Sequence, residues 1–553
     1  MKYLVAVISM CFFVYEAAAQ YPKLIVRFTD KNGTSFSTGN PSAYLSARAM
    51  NRRSRYNITI DSSDLPVSQR YIDSVLSKGP VTLLSRSKWL NQVLIQCTDQ
   101  STINKILALP FVKTVQGIGY KPGIPPERFT ETLQPAPPFT MLQKTNADVY
   151  NYGNNYNQVH IHEGEFLHNN GFSGQGIIIA VLDAGFSGFK TIPAFDSIRI
   201  NGQILGERDF VAFDNSVNED DSHGRSVLSV MATNWPGQMV GTAPKANYWL
   251  IRTENAATEY PIEEHNWVVG AEFADSCGAD LISSSLGYLT FDDPAFNHNY
   301  SEFYRNLAMV SIGATTAAKK GMIVVNSAGN EGTSSWKYIG FPADSDSVCA
   351  VGAVSQTGAV AGFSSYGYPG RVKPNIASVG SGTVLAGTGN STVTGSGTSF
   401  ACPNVAGLIA CLWQAFPEFN NMQILDAVYK SCPTYLTPDD RIGFGIPNMR
   451  VAYQLLETRR NANNPASSWL TANPVPFNNG NQLRVKFTAP ESGKIVLRMF
   501  DEKGSIVDKV ELTTTEHSSY QVSFTRTPQL ARGVYLVQYV GKKVRETIKV
   551  VKQ

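Results

Sequence analysis

The chain has 553 residues, of which 43% are hydrophobic and 16% are charged, and its formal net charge is +3. This length exceeds what one hydrophobic core requires and predicts several domains. The small positive charge is spread along the chain and argues against nucleic-acid binding. The short basic cluster Arg52-Arg53-Ser54-Arg55 is interpreted as a solvated helix end.

The first 19 residues have the pattern of a signal peptide. Lys2 supplies the positive start, an apolar stretch follows from Tyr3 to Tyr15, and Ala17-Ala18-Ala19 forms a small-residue cleavage site. No later apolar run approaches the length of a membrane span. The sequence therefore predicts an exported protein without a transmembrane segment.

Residues 20–120 are predicted to form a compact α+β region, and residues 121–149 a linker. The predicted strands are 24–28 and 88–97, and the predicted helices are 41–56, 68–78 and 103–111. The linker is rich in proline, which favours an extended and easily cleaved chain.

Residues 150–460 alternate buried strands with helices, which is typical of a parallel sheet covered on both faces. Ligands bind such sheets at the edge formed by the carboxyl ends of the strands. The predicted strands are 177–182, 248–251, 281–283, 322–325 and 348–354. The predicted helices are 224–233, 262–276, 301–320 and 399–416.

After a linker at 461–472, residues 473–553 show short alternating strands separated by turns. This pattern predicts a small antiparallel β-sandwich, to which no catalysis is assigned. Six cysteines follow the signal peptide, and none shows the paired CxxC spacing of a zinc site. The sequence leaves their connectivity open.

Three residues far apart in the chain suggest a catalytic triad. Asp183 ends an apolar run, His223 opens a helix, and Ser399 lies where a Gly/Ser-rich loop enters an apolar helix with Pro403 in its expected first turn. The order Asp, His, Ser is one of the few in which such triads are built. A serine hydroxyl needs a histidine base to become a nucleophile, and the histidine needs a carboxylate to orient it.

The reaction also needs a donor for the oxyanion. Asn330 lies on a Gly-rich loop after a buried strand and is the candidate, although asparagine is also common in ordinary turns.

Five segments in register resemble the subtilisin-like serine peptidases over residues 150–459: Asp183-Ala184-Gly185, His223-Gly224, Ser283 to Gly287, Ala328-Gly329-Asn330 and Gly397 to Pro403. The resemblance implies the α/β subtilisin-like fold. It also implies Asp183, His223 and Ser399 as triad, with the Asn330 side chain and the Ser399 backbone N–H as oxyanion hole. The implied substrate-binding residues are Ser285, Leu286, Gly287, Ala328 and Gly329.

The chain departs from this family at two positions near the triad. Arg225 replaces the usual threonine after His-Gly, and such a cation either lowers the pKa of the base or extends into solvent. Phe400 replaces the usual methionine after the serine. Cys402, close to the nucleophile, is interpreted as a core residue.

The N-terminal region resembles the ferredoxin-like pro-segments of these peptidases, which act as folding template and inhibitor. Maturation cleavage is expected between Gly119 and Ala147. The C-terminal region, with Asn473-Pro474-Val475-Pro476 and a basic tail, resembles the sorting domain of type IX secretion substrates. That resemblance implies the type IX machinery as a partner. It also implies export across both membranes and a secreted or surface-attached product.

Together these features predict a secreted serine endopeptidase that cleaves proteins or peptides through an acyl-enzyme and is made as a proenzyme. No cofactor is certain, and calcium is a candidate ligand. The acidic residues considered for it are more typical of solvated turns: Asp292, Asp293, Asp344 and Asp346.

Three other functions fit parts of the sequence. A catalytically silent binding or adhesion protein on the same scaffold is favoured by Arg225 and opposed by the intact triad. An acid-active peptidase class that shares the Gly-Thr-Ser turn lacks the His-Gly helix start. A lipase or esterase would need a Gly-x-Ser-x-Gly elbow, and the sequence has none in the matching order.

Overall fold

The structure is a computed structural model that describes residues 22–119, 133–135, 148–218, 221–463, 469–478 and 483–552. The predicted signal peptide, most of the segment expected to carry the maturation site, and part of the second linker lie outside the described residues. Within the described ranges, no helix combines the length and apolarity needed to cross a membrane.

A seven-stranded parallel sheet forms the centre of residues 150–460, which carry the predicted triad and are called the catalytic region below. Its strands, in spatial order, are Ile376–Ser381, Val348–Ser355, Ile323–Ser327, Leu281–Ser284, Ile178–Asp183, Asn247–Arg252 and Ile204–Asp209. The central strands are buried on both faces, which explains their continuous apolar sequences. The predicted parallel sheet is confirmed.

Helices cover both faces of this sheet. Ile179 and Val181 pack toward the His223–Ala232 and Thr398–Ala415 helices, whereas Ala180 and Leu182 pack toward the opposite side. The helices of the region are Tyr156–His160, Gly164–Asn169, Asp196–Ile200, His223–Ala232, Ile262–Cys277, Met309–Lys319, Thr398–Ala415, Asn421–Lys430 and Met449–Asn463. Two hairpins flank the sheet, Asn234–Trp235 with Met239–Val240 and Thr383–Ala386 with Thr392–Gly395.

The N-terminal region is a four-stranded antiparallel sheet with helices. In spatial order its strands are Thr82–Ser87, Gln92–Gln96, Lys23–Phe28 and Val112–Gly117, and its helices are Ala47–Arg55, Gln69–Leu76 and Gln100–Leu107. Alternate residues of the strands face two different cores. Leu24 and Val26 pack against the region's own helices, while Ile25 and Leu94 pack against Tyr260 and Ile262 of the catalytic region.

Buried ion pairs join these two regions, and they correct one prediction. Arg52 and Arg53 are buried rather than solvated, and both donate to the carboxylate of Asp275 at 2.5 and 2.9 Å. Arg53 also donates to Asp64 of its own region at 3.0 Å. The sequence shows only a basic run, because the carboxylate that buries it lies more than two hundred residues away.

The C-terminal region consists of two antiparallel sheets around one apolar core. One sheet contains Leu470–Asn473, Arg484–Thr488 and Ser519–Ser523. The other contains Ile506–Thr514, Gly493–Phe500, Gly533–Val540 and Arg545–Lys552. The alternation of buried and exposed residues along Gly493–Phe500 and Gly533–Val540 is the period of a strand with one face on a core.

Candidate active site

Asp183 and His223 meet at the carboxyl edge of the central sheet. Asp183 is the last residue of its strand and is fully buried, and His223 is the first residue of its helix. The Nδ1 atom of His223 lies 2.6 Å from Oδ1 of Asp183. Burial raises the pKa of Asp183, and the charge and hydrogen bond of His223 oppose that rise. Because the carboxylate accepts from Nδ1–H, the neutral imidazole keeps its lone pair on Nε2.

Ser399 is the second residue of the Thr398–Ala415 helix, at the start of an almost entirely buried segment. The helix begins at Thr398 and Pro403 lies inside it, beyond the first turn, so the prediction that Pro403 lies in the first turn is wrong. Pro403 lacks the N–H that would bond to the carbonyl of Ser399, four residues back. The hydroxyl of Ser285 donates to this carbonyl instead, at 2.7 Å.

Asn330 is fixed by the residue that precedes Ser399. Its Oδ1 accepts from the backbone N–H of Thr398 at 2.9 Å and from the Thr398 hydroxyl at 3.0 Å. The Thr398 hydroxyl also accepts from the N–H of Gly329 at 3.2 Å. With the oxygen end of its amide engaged, Asn330 has the NH2 end available to donate.

These residues line one cleft, with a cavity volume of about 490 Å³. Every candidate site residue except Asp183 contributes to its wall, and Asp183 contacts the ring of His223. The predicted residues on the wall are His223, Ser285, Leu286, Gly287, Ala328, Gly329, Asn330 and Ser399. The structure thus brings together residues selected from five separate segments.

The cleft also contains acidic side chains that the sequence interpretation missed. Glu254 and Glu259 line it, and their carboxylate oxygens and that of Glu263 lie within 4.8 Å of one another. Burial raises the pKa of all three carboxyl groups. Nearby negative charges raise these pKa values further: that of Asp183 for Glu254, that of Glu254 for Glu259, and those of Glu259 and Glu254 for Glu263. Glu254 comes two residues after the strand Asn247–Arg252, so the strand-end rule that selected Asp183 would have found it.

The four aspartates considered for calcium do not form one site. Asp292 accepts from the N–H of Glu259 at 3.1 Å, and Asp293 caps a short turn. Asp344 accepts from a serine hydroxyl at 2.6 Å, whereas Asp346 pairs with an arginine at 3.0 Å. Each is engaged by a different protein group, so the four residues do not make up one shared calcium site, and no step of the chemistry is assigned to a metal.

Arg225 does not extend into solvent. Its side chain is buried, and Nη1 donates to the carbonyl of Ser187 at 2.9 Å. This contact ties the start of the His223–Ala232 helix to the loop that follows Asp183. Arg225 therefore has a structural contact of its own, which the sequence could not reveal.

All six cysteines of the described residues are free thiols. Cys402 lies one turn after Ser399, but it is buried and its Sγ lies 3.4 Å from the carbonyl of Val325. Burial raises the pKa of this thiol to about 12. A thiol of this kind stays protonated near neutral pH and is a poor nucleophile.

Comparison with known families agrees with this architecture. The model of the Subtilase family (Peptidase S8) matches residues 174–445, and the model of the Peptidase S8 propeptide domain of Bacteroidota matches residues 23–127. The chain is 30% identical over 292 residues to Subtilisin NAT of Bacillus subtilis subsp. natto. That alignment covers 52% of this chain and 68% of the relative.

Two further similarities extend the comparison. Subtilisin of Bacillus pumilus is also 30% identical over 292 residues, which cover 52% of this chain and 94% of the relative. The structure of fervidolysin from Fervidobacterium pennivorans, a keratinolytic enzyme related to subtilisin, superposes with a TM-score of 0.53 at 17% identity. The match covers 94% of this chain and 70% of that one, and it supports the fold alone. The chain belongs to the subtilase family of serine peptidases and carries the family's propeptide domain.

Proposed function

We propose that this protein is a secreted serine endopeptidase that uses Asp183, His223 and Ser399 as its catalytic triad. The proposal depends mainly on one observation. The 2.6 Å contact between His223 Nδ1 and Asp183 Oδ1 orients the imidazole within the cleft that also contains Ser399 and Asn330.

In the proposed reaction, Ser399 Oγ bonds to the carbonyl carbon of the substrate as its proton passes to His223 Nε2. The tetrahedral oxyanion accepts hydrogen bonds from the Asn330 amide and the Ser399 backbone N–H. Collapse breaks the C–N bond, and the proton on His223 goes to the leaving amine. Water, deprotonated by His223, then attacks the acyl-enzyme, and the proton returns to Ser399 as the acid product leaves.

An extended substrate is proposed to pair with the backbone of Ser285, Leu286 and Gly287 and to place a side chain beside Ala328 and Gly329. All five residues line the cleft. Such pairing would fix the scissile carbonyl near Ser399, because main-chain hydrogen bonds position a peptide independently of its sequence.

The chain is proposed to be made as a proenzyme whose residues 20–120 inhibit residues 150–460, with the 121–149 linker cut on maturation. Three contacts support this. The carbonyl of Ile118 accepts from the N–H of Ile262, just after the acidic wall of the cleft. Leu133 of the linker lines the cleft itself, and Gln134–Pro135 pairs with Thr392–Gly395.

The catalytic proposal is tested by the Ser399→Ala variant. It should lose casein hydrolysis and labelling by a fluorophosphonate, while Ser396→Ala keeps both. Ser396 is a matched control because it lies three residues upstream, outside the cleft wall, where its hydroxyl accepts from the N–H of Gly382. Labelling of Ser399→Ala at the wild-type level would place the nucleophile elsewhere.

Residues 473–553 are proposed to direct the protein through type IX secretion, after a signal peptide at 1–19 takes it across the inner membrane. Their separate apolar core supports a domain that can be removed without disturbing the catalytic sheet. In a bacterium with this secretion system, a reporter fused to residues 461–553 should reach the medium or the cell surface. Retention of the reporter in the periplasm would contradict the assignment.

The silent-scaffold alternative gains no support from the site. Arg225 is the one residue that favours a catalytically silent binding protein. Its buried contact with Ser187 accounts for this residue and leaves Asp183, His223 and Ser399 intact.

A further inference from the structure

A buried histidine lies within the contact between the pro-segment and the catalytic region. His265, on the Ile262–Cys277 helix, is fully buried, and both of its ring nitrogens contact side chains of the pro-segment sheet. Nε2 lies 2.8 Å from the hydroxyl of Ser85, and Nδ1 lies 3.0 Å from Nε2 of Gln92. Neither contact belongs to the catalytic cleft.

The side chain of Arg27 determines which nitrogen of His265 carries the proton. Nε and Nη2 of Arg27 donate to Oε1 of Gln92 at 3.1 and 3.0 Å. A guanidinium group only donates, so the oxygen of Gln92 must face Arg27 and its NH2 must face His265. Nδ1 of His265 therefore accepts, and the single ring proton lies on Nε2 and is donated to Ser85.

A second proton on His265 has no acceptor in this arrangement. It would place an N–H of the ring against the N–H of Gln92, and rotation of the Gln92 amide would turn its NH2 toward the donors of Arg27. Burial, together with the charge of Arg27, lowers the pKa of His265 to about 3. The contact therefore requires the neutral form of the imidazole.

The other charged groups around His265 are already engaged. Three glutamates lie on the same helix as His265. Glu264 binds His298 and the N–H of Val310, and Glu263 binds the backbone N–H groups of Tyr260 and Asn255. Glu272 binds three residues of the pro-segment, Ser87, Lys88 and Trp89. The pro-segment presents Arg27, with Lys23 on the same strand and Lys88 near Asp275. The Met309–Lys319 helix contributes Met309, whose sulfur lies 3.3 Å from Gln92 Nε2.

We propose that His265 is an acid-sensitive latch for the pro-segment, so that mild acidification weakens the grip of the segment on the catalytic region. The inference rests on the proposed function only for the role of the segment as inhibitor. The direction of the pH effect follows from the linkage between protonation of His265 and binding of the pro-segment. The bound complex keeps His265 neutral, while the separated catalytic region lets it take a proton at the ordinary histidine value of 6.5. Affinity is therefore complete above that value and falls as the pH drops below it.

The expected size is about a tenfold increase in the dissociation constant between pH 7.5 and pH 5.5, since each pH unit below the free pKa costs about tenfold. The window stops at pH 5.5 because Glu272 lies in the same interface. Burial raises its pKa, so its protonation at lower pH would act in the opposite direction.

The experiment uses the full chain with Ser399→Ala and a recognition sequence for an added site-specific protease inserted between residues 121 and 147. The linker is cut while the segment is in place, and dissociation is followed by size-exclusion chromatography and native mass spectrometry across the pH window. Because this chain needs no activity of its own, the result is independent of whether the proposed triad is correct.

Two variants make the test specific. His265→Asn keeps an acceptor for Gln92 but does not titrate, so its dissociation constant should change less than about threefold over the window. Gln92→Glu on the pro-segment side supplies an acceptor for a protonated ring and still pairs with Arg27, so it should flatten or reverse the pH dependence. Circular dichroism before cleavage checks that each variant folds.

Histidine-labelled NMR of the uncut chain gives a second measurement, in which His265 should report the Nε2–H tautomer down to pH 5.5. Either of two results would overturn the proposal. One is a pH dependence of release that is identical with and without His265. The other is an imidazole of the intact chain that titrates near its ordinary value.

Discussion

Gly224 packs directly on the side chain of Asp183. A Cβ atom at Gly224 would lie 2.8 Å from the Cβ of Asp183 and 2.6 Å from the carbonyl oxygen of Gly185. The residue after His223 therefore sets how closely the helix that begins at His223 approaches the strand that ends at Asp183. This contact explains physically why a glycine follows the histidine.

Gly224→Ala should move Asp183 away from His223 and lower kcat by at least about tenfold, because catalysis depends on ångström-scale placement of such groups. KM for a peptide substrate should change little. Gly362→Ala is the matched control, since a Cβ there meets nothing within 4 Å. A Gly224→Ala protein with the wild-type kcat would show that the contact does not position the proposed triad.

Ser285→Ala should lower both kcat and stability, because it leaves the carbonyl of Ser399 without a donor. The expected loss of stability is about 1 kcal/mol. Pro403→Ala restores a backbone N–H four residues after Ser399, so the double variant should recover much of what Ser285→Ala loses. A double-mutant cycle in kcat and urea unfolding measures this coupling. Strictly additive losses would argue against a shared carbonyl.

If the proposed oxyanion role is correct, Asn330→Ala should reduce kcat by about 10²–10³-fold with little change in KM, the magnitude known for the oxyanion-hole asparagine of a subtilisin. The residue has a second contact, since its oxygen accepts from Thr398. Asn330→Asp keeps that acceptor and removes the amide donor, so it separates the two contacts. If Asn330→Asp retained the wild-type kcat, the amide would not be an oxyanion donor.

His298 should stabilise the fold at neutral pH and lose that effect in alkali. Burial alone would lower its pKa, but contacts with Glu264 and Glu302, at 2.7 and 2.8 Å, outweigh burial and raise it to about 9. A raised value means that the stabilisation is complete below 6.5, the ordinary value, and disappears as the pH rises through about 9.

In the Ser399→Ala background, which avoids self-digestion, His298→Gln should lower the free energy of unfolding by about 1–3 kcal/mol at pH 6 and by much less at pH 10. Guanidinium unfolding at the two pH values measures the difference. His517→Gln, at an exposed histidine of the C-terminal region, should have no effect at either pH. An equal loss at both pH values would assign His298 a packing role only.

The sequence predicted the central sheet well because buried parallel strands are continuous apolar runs whose signal is local. Other elements lacked such a signal. The strand Ile376–Ser381 contains glycine and serine and was not predicted, although it is buried. The helix expected over 301–320 begins only at Met309, because Asn299 and Glu302 close a short capped turn first.

The same distinction holds at the site. The sequence indicates Asp183, His223 and Ser399 because each carries a chemical pattern at the end of an element, and the structure places His223 and Ser399 in one cleft with Asp183 against the ring of His223. The hydroxyl of Ser285 was missed as a partner of the Ser399 carbonyl, since 114 positions separate the two and the bond depends on the missing N–H of Pro403. Likewise, the burial of Arg52 and Arg53 depends on Asp275, which only the docked arrangement brings near.

Arg53 binds both Asp64 and Asp275, and these two contacts make one loop of the pro-segment sensitive to cleavage. Arg53 belongs to the Ala47–Arg55 helix, while its partner Asp64, which also binds Lys320 of the catalytic region, follows a short loop. A single peptide-bond break within residues 56–63 would separate the segment that carries Arg53 from the segment that carries Asp64. Each segment would then have fewer partners for its buried charge when bound, and a buried charge that loses a partner destabilises the complex. A cut at this loop, in addition to the proposed maturation cut, should therefore weaken the binding of the pro-segment to the catalytic region.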